Sequence, residues 1–210
     1  MEWHVWTTFL IAAIAISLSP GPGAFAAMSA GLAHGLRRGQ PIAWGLLAGV
    51  WTQTAVVGAG LGALLATSAL AFTVVKWVGA AYLVWLGVQQ WRAPALPLQL
   101  PASGDPAATP TWRALVLRGW AVNALNPKGT VFLLAVLPQF IDAGRPLAPQ
   151  YLAIGATFGV VEMLVMSGYV ALAARLLRGL RSPRQQRWLN RGFGGLFVAA
   201  GAALALFKRA

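Results

Sequence analysis

Lys128 and Glu162 each fall inside a long apolar stretch of this 210-residue chain. A charged side chain at the centre of a membrane helix costs about 2.5–3.5 kcal/mol on insertion scales, and such residues line a cavity or pair with one another. Two readings stand for this pair. It is a structural ion pair, or Lys128 attracts a substrate carboxylate while Glu162 attracts an ammonium group or carries a coupling proton. The other acids, Glu2, Asp105 and Asp142, lie at an end or in loops, so Glu162 is the candidate proton carrier. Two motifs set the frame: Ser19-Pro20-Gly21-Pro22-Gly23, and Asn126-Pro127-Lys128-Gly129. Proline donates no backbone hydrogen bond and obstructs the turn before it. Glycine permits unusual backbone angles and close approach of a ligand. Ser19-Pro20 and Asn126-Pro127 both read as an N-cap followed by a first-turn proline. Prolines alone could only kink a continuous helix, but the clustering here predicts breaks. Each break then aims a helix N-terminus at a central cavity, a site for a carboxylate. The carbonyls of the half-helices that end there suit an ammonium group, so a zwitterionic amino acid fits both. Asn123 and Gln53 complete the candidate set; each either bonds between helices or faces the ligand.

The elements that must position these residues are membrane helices. Hydrophobic residues make up 58% of the chain and charged residues 10%, against about 25% charged in soluble domains. Six spans are expected, over 5–32, 41–66, 70–91, 114–141, 150–174 and 190–207, each near the roughly 20 residues that cross hydrocarbon. The N-terminal run lacks the Lys or Arg of a signal-peptide n-region and is expected to be retained as the first span. Pro94, Pro97, Pro101, Pro106 and Pro110 mark 93–112 as a linker. It separates two three-helix halves, 1–92 and 113–210. An odd number of spans per half makes the second enter from the opposite side, so the fold expected is an all-α integral membrane protein of two inverted-topology repeats, helices 1 and 4 broken or kinked at the proline motifs. Gly45-x-x-x-Gly49 and Gly155-x-x-x-Gly159 recur at nearly the same offset as Pro20 and Pro127, though close helix packing explains such pairs by itself. Gly58-x-x-x-Gly62 serves packing within or between subunits, which leaves a homodimer open.

Orientation follows from the basic residues. With the N-terminus outside, Arg37, Arg38, Arg92, Arg113, Arg118 and the arginines of 175–191 fall inside; Lys76, Arg145, Lys208 and Arg209 fall outside. Both termini are therefore expected outside, with the inner arginines anchoring the protein against membrane lipids. The net charge of +12 would suit nucleic acid, but these residues flank apolar spans and form no basic domain, so no nucleic-acid partner is expected. The chain has no Cys, and His4 and His34 sit near membrane surfaces.

Ser19-Pro20-Gly21-Pro22 followed by Gly35-Leu36-Arg37-Arg38-Gly39, Gly79-Ala80-Ala81-Tyr82-Leu83 with Gly87, and Asn126-Pro127-Lys128 followed by Leu137-Pro138-Gln139-Phe140 together resemble the lysine exporter (LysE/RhtB) family of bacterial amino-acid exporters. The resemblance covers nearly the whole chain outside 93–112. It implies export of amino acids or close derivatives across the bacterial inner membrane, driven by the proton gradient, with no cofactor besides the coupling proton. It also exposes two departures. Gly23 stands where the family usually carries Asn or Asp, and Val50 follows Gly49 where a polar or acidic residue is common. Both strip polarity from the expected cavity and tilt the expectation toward neutral or apolar amino acids.

The alternative is a metal-ion or other small-solute exporter of a related superfamily, which would want clustered carboxylates, His or Cys in the membrane. An intramembrane enzyme would need a nucleophile with a base, or a metal site; with no Cys and both His at the surface, the chain is not expected to be an enzyme. A non-transporting assembly protein would leave the paired breaks idle.

Overall fold

The computed structural model describes residues 3–67, 110–142 and 144–175, with separate helical positions between Val74 and Arg92 and at 191, 195 and 198; for 61–67 it describes the backbone alone. The sixth expected span, most of the third, nearly all of the 93–112 linker and the arginines from 178 to 187 lie outside the described residues. Those described form helices and no strand: α1 (Trp3–Leu18), α2 (Pro22–Gly39), α3 (Pro41–Thr67), α4 (Trp112–Ala124), α5 (Pro127–Phe140) and α6 (Leu147–Arg175).

Proline explains several of these starts. Pro22, Pro41 and Pro127 each open a helix, where the missing N–H costs nothing and the fixed φ is already helical. The Ser-Pro-Gly-Pro-Gly motif differs from expectation in detail. The N-cap of α2 is Gly21, not Ser19, with Pro22 in the first turn, because Ser19 still belongs to the end of α1: its N–H donates to Ala15 O at 3.1 Å. The α1 and α2 axes meet at 55° across this break. Within α2, Gly35 adopts φ 72° and interrupts the helical angles, a left-handed conformation that favours glycine.

Packing is close because glycines let backbones touch. A side chain at Gly45 would overlap the carbonyl of Val116, and one at Gly119 the carbonyl of Ile42, so α3 and α4 lie backbone to backbone. Gly31 meets Val170 O in the same way and joins α2 to α6. Two larger apolar clusters result, beside a small one of Ala24, Met28 and Ala173. One gathers Phe9, Phe132, Leu133, Phe140 and Phe158, with Phe9 edge-on to Phe140 at 5.4 Å. The other gathers Ala27, Ala30, Ile42, Leu46, Met166 and Val170. Polar residues are buried where the two clusters adjoin. Along α6, Val161 belongs to the first and Met166 to the second, and Glu162 sits between them at 4% exposure.

The outside is apolar too. Trp44, Trp51, Val56, Leu152, Val160 and Leu164 are exposed, and helices apolar on all sides belong in hydrocarbon. By length and composition, Pro41–Gly60 and Leu147–Arg175 are each able to cross a membrane, and the bent pair α1–α2 adds a third if it is one span.

Candidate functional site

The end of α1, the start of α2, the break between α4 and α5, and one face each of α3 and α6 converge on a cavity of about 40 Å³. Its wall contains Ser17, Ser19, Gly21, Gly23, Gln53, Asn123, Asn126, Lys128, Gly129 and Glu162, with Ile16, Ala24, Val50, Phe158 and Met166 as its apolar part. Most residues singled out from the sequence therefore meet here, on a wall drawn from six helices and the turns between them. Pro20, Pro22 and Pro127 are not on the wall; they end or start the helices that form it. The two departures from the family pattern, Gly23 and Val50, both are. A side chain at Gly23 would lie 3.4 Å from Leu46 Cδ2 and 3.5 Å from Asn123 Oδ1, so glycine keeps this part of the wall open.

Glu162 is held by two donors. Ser17 Oγ donates to Oε2 at 2.7 Å, and Asn123 Nδ2 donates to Oε1 at 2.9 Å. The same Asn123 amide donates to Leu46 O at 2.8 Å, which ties the carboxylate to α3 through α4. Asn123 thus bonds between helices and lines the cavity at once.

Lys128 reaches across to the first break. Its ammonium donates to Ser19 Oγ at 2.7 Å, to Ser19 O at 3.0 Å and to Pro20 O at 3.4 Å. Tyr169 OH donates to Leu18 O at 2.6 Å. The carbonyls expected from the sequence to await an ammonium are thus met by an ammonium of the chain itself. Charge-assisted bonds of this kind are about twice as strong as neutral ones, and here they satisfy the exposed C-terminal end of α1.

The second break closes on itself. Asn126 caps α5 by accepting from Lys128 N at 3.1 Å, and Leu125 N and Asn126 N return to Ala121 O and Asn123 O at 3.1 and 3.0 Å. Gln53 braces it from α3: Nε2 donates to Asn126 O at 2.8 Å and to Thr130 Oγ1 at 3.0 Å.

Sequence reasoning missed Ser17, Tyr169 and Thr130. Tyr169 follows Glu162 by two helical turns and so shares its face, a signal legible in principle. Ser17 and Thr130 carried no such mark.

Taken together, the cavity offers carboxylate, carboxamide and backbone oxygens, one ammonium, and the N-terminus of α2, which no side chain caps. An acidic group and an ammonium beside free helix N–H groups are the chemical complements of the two ends of a zwitterion.

The chain is 44% identical over 208 residues to an uncharacterized membrane protein of Vibrio cholerae, covering 99% of this chain and 100% of the relative. It is 43% identical over 210 residues to a homoserine/homoserine lactone efflux protein of Salmonella typhi, covering 100% and 98%. It is 30% identical over 206 residues to a leucine efflux protein of an Enterobacter species, covering 96% and 95%. No solved structure matches. The relatives with a named activity are efflux proteins rather than enzymes. The family of LysE type translocators matches residues 14–207, and this chain, a membrane protein of apolar helices, belongs to it.

Proposed function

We propose that the protein is a secondary-active exporter of neutral amino acids and close derivatives, working in the bacterial inner membrane and coupled to the proton gradient through Glu162. The observation that carries this reading is the meeting of both helix breaks, Lys128 and Glu162 around one buried cavity. The relatives named for homoserine, its lactone and leucine supply the substrate class. The three compounds share a primary amino group, and the lactone has no free carboxylate.

The substrate's amino end faces the oxygens of Gln53 and Glu162, and its carboxyl end faces the uncapped N-terminus of α2 and Lys128. A cavity of about 40 Å³ holds a water or two, not an amino acid, so loading requires the half-helices to part. Two three-helix halves, 1–92 and 113–210, inserted in opposite senses with both termini outside, would open the cavity to each side in turn. Ser17 makes Glu162 able to carry a proton without losing its partner: a hydroxyl donates to a carboxylate and accepts from a carboxylic acid, whereas Asn123 Nδ2 can only donate.

Counterflow tests the reading. Purified protein in liposomes preloaded with unlabelled homoserine should accumulate labelled homoserine; if homoserine, its lactone and leucine all fail to exchange, the proposal is wrong. Glu162→Gln should keep this exchange but lose net export driven by a pH gradient. Unchanged pH-driven export would remove Glu162 from the coupling.

A further inference from the structure

Gln53 is 4% exposed and stands on the cavity wall, yet its Oε1 has no hydrogen-bond partner among the described residues. The orientation of the amide is fixed by chemistry. One neighbour of its nitrogen is the Asn126 carbonyl at 2.8 Å, which can only accept, so the nitrogen must lie there and the oxygen on the other side. The second neighbour, Thr130 Oγ1 at 3.0 Å, gives its own proton to Asn126 O and so also accepts from Gln53. The oxygen is thereby held over Gly129, where an added Cβ would come within 2.5 Å of it. Glycine at 129 leaves room for a buried acceptor that the protein leaves unused. Buried acceptors are nearly always matched, and an unmatched one on a cavity wall calls for a donor from the ligand.

We propose that Gln53 Oε1 reads the amino group of the transported molecule. The assignment rests on the export reading above. The ammonium is the donor that homoserine, its lactone and leucine have in common, whereas a side-chain hydroxyl belongs to homoserine alone. Gln53 is therefore a recognition residue for the amine itself, which lets compounds without a free carboxylate pass while molecules without an amine are refused.

The test is competition against trace labelled homoserine in counterflow, using unlabelled homoserine, norvaline (the same shape with a methyl for the hydroxyl) and pentanoate (no amine). In the natural protein both amines should compete and pentanoate should compete far less. Gln53→Met should weaken homoserine and norvaline alike, by about tenfold, the scale of one hydrogen bond to a charged group, and leave pentanoate where it was. Loss confined to homoserine would assign Oε1 to the hydroxyl and overturn the proposal. Equal loss for all three compounds, or none, would make Gln53 a packing residue and overturn it as well. Gly129→Ala is the second variant, and it carries the test if Gln53→Met does not fold. Alanine favours the helix, and its methyl displaces Oε1 from the wall while the glutamine stays, so the same narrowing of the norvaline-to-pentanoate preference is expected. If the natural protein exchanges no amino acid, the export reading fails. If it does and both variants keep its preferences, only the role of Gln53 fails.

Discussion

The chain interrupts its helices at Ser19–Gly21 and again at Leu125–Asn126, and the two interruptions are completed by different means. At Leu125–Asn126 the cap and the turn come from nearby residues, with Gln53 of α3 as a brace. Asn126 caps the following helix with its own side chain, and the preceding turn recovers its bonds through Leu125 N and Asn126 N. At Ser19–Gly21 the N-cap is a glycine with extended angles, φ −160° and ψ −173°, and no side chain to offer. The carbonyls before it are met by Lys128 and Tyr169, which belong to α5 and α6. One break is capped from its own sequence and lends its lysine; the other is incomplete without the second half of the chain. The incomplete break, with an uncapped helix start beside an ammonium, is the one whose polar groups a substrate can take over.

This asymmetry is most severely tested at Lys128. Lys128→Met removes the ammonium from Ser19 and Pro20 and leaves Glu162 buried without it. A hydrogen bond to a charged group is worth about 1.5–3 kcal/mol, and buried carbonyls left without a donor add their own desolvation cost. The variant should lose transport and show a markedly lower unfolding temperature in detergent. A variant as stable as the natural protein would mean that the first break does not depend on the loan.

Asn126→Ala probes the locally capped break. Loss of an N-cap costs about 1 kcal/mol, and here the change also removes the long hydrogen bond from Asn126 Nδ2 to Asn123 Oδ1 at 3.4 Å. A smaller fall in unfolding temperature than for Lys128→Met is expected, with exchange reduced but present. If the order of the two variants is reversed, the second break is the fragile one and the comparison is turned around.

How much of this could be read from the residues alone divides along the same line. Proline and glycine act on their own backbone, so the places where helices stop were legible. So were Lys128 and Glu162, because a charge in an apolar run is visible without a structure. The family resemblance pointed to Gly23 and Val50, and both stand on the cavity wall. The completion of each break was not legible. Asn126 as a cap is a local fact and legible, whereas Ser19, which reads as a cap, is an acceptor for a lysine 109 positions away. Such a pairing is decided by the approach of α5 to α1, which glycine contacts and ring packing set elsewhere in the molecule. The orphan oxygen of Gln53 is of the same kind: it exists because a carbonyl from another helix fixes the amide, and no sequence pattern records that.

Gly21→Asn is the mildest change and the sharpest test of why the first break lacks a cap. Extended angles at position 21 are open to any residue, and a side chain there would rest 3.4 Å from Lys128 Cδ and Nζ, an ordinary contact. Asparagine in place of an N-cap glycine adds only a few tenths of a kcal/mol, so the unfolding temperature should rise slightly or stay level. Its side chain would accept from the first-turn N–H groups of α2, as Asn126 does for α5. Those N–H groups would then be unavailable to the carboxyl end of the substrate. Half-saturation for homoserine should rise several-fold, while that for its lactone, which carries no carboxylate, should rise less. Equal effects on both would mean that the bare helix start serves the bend between α1 and α2 rather than the ligand.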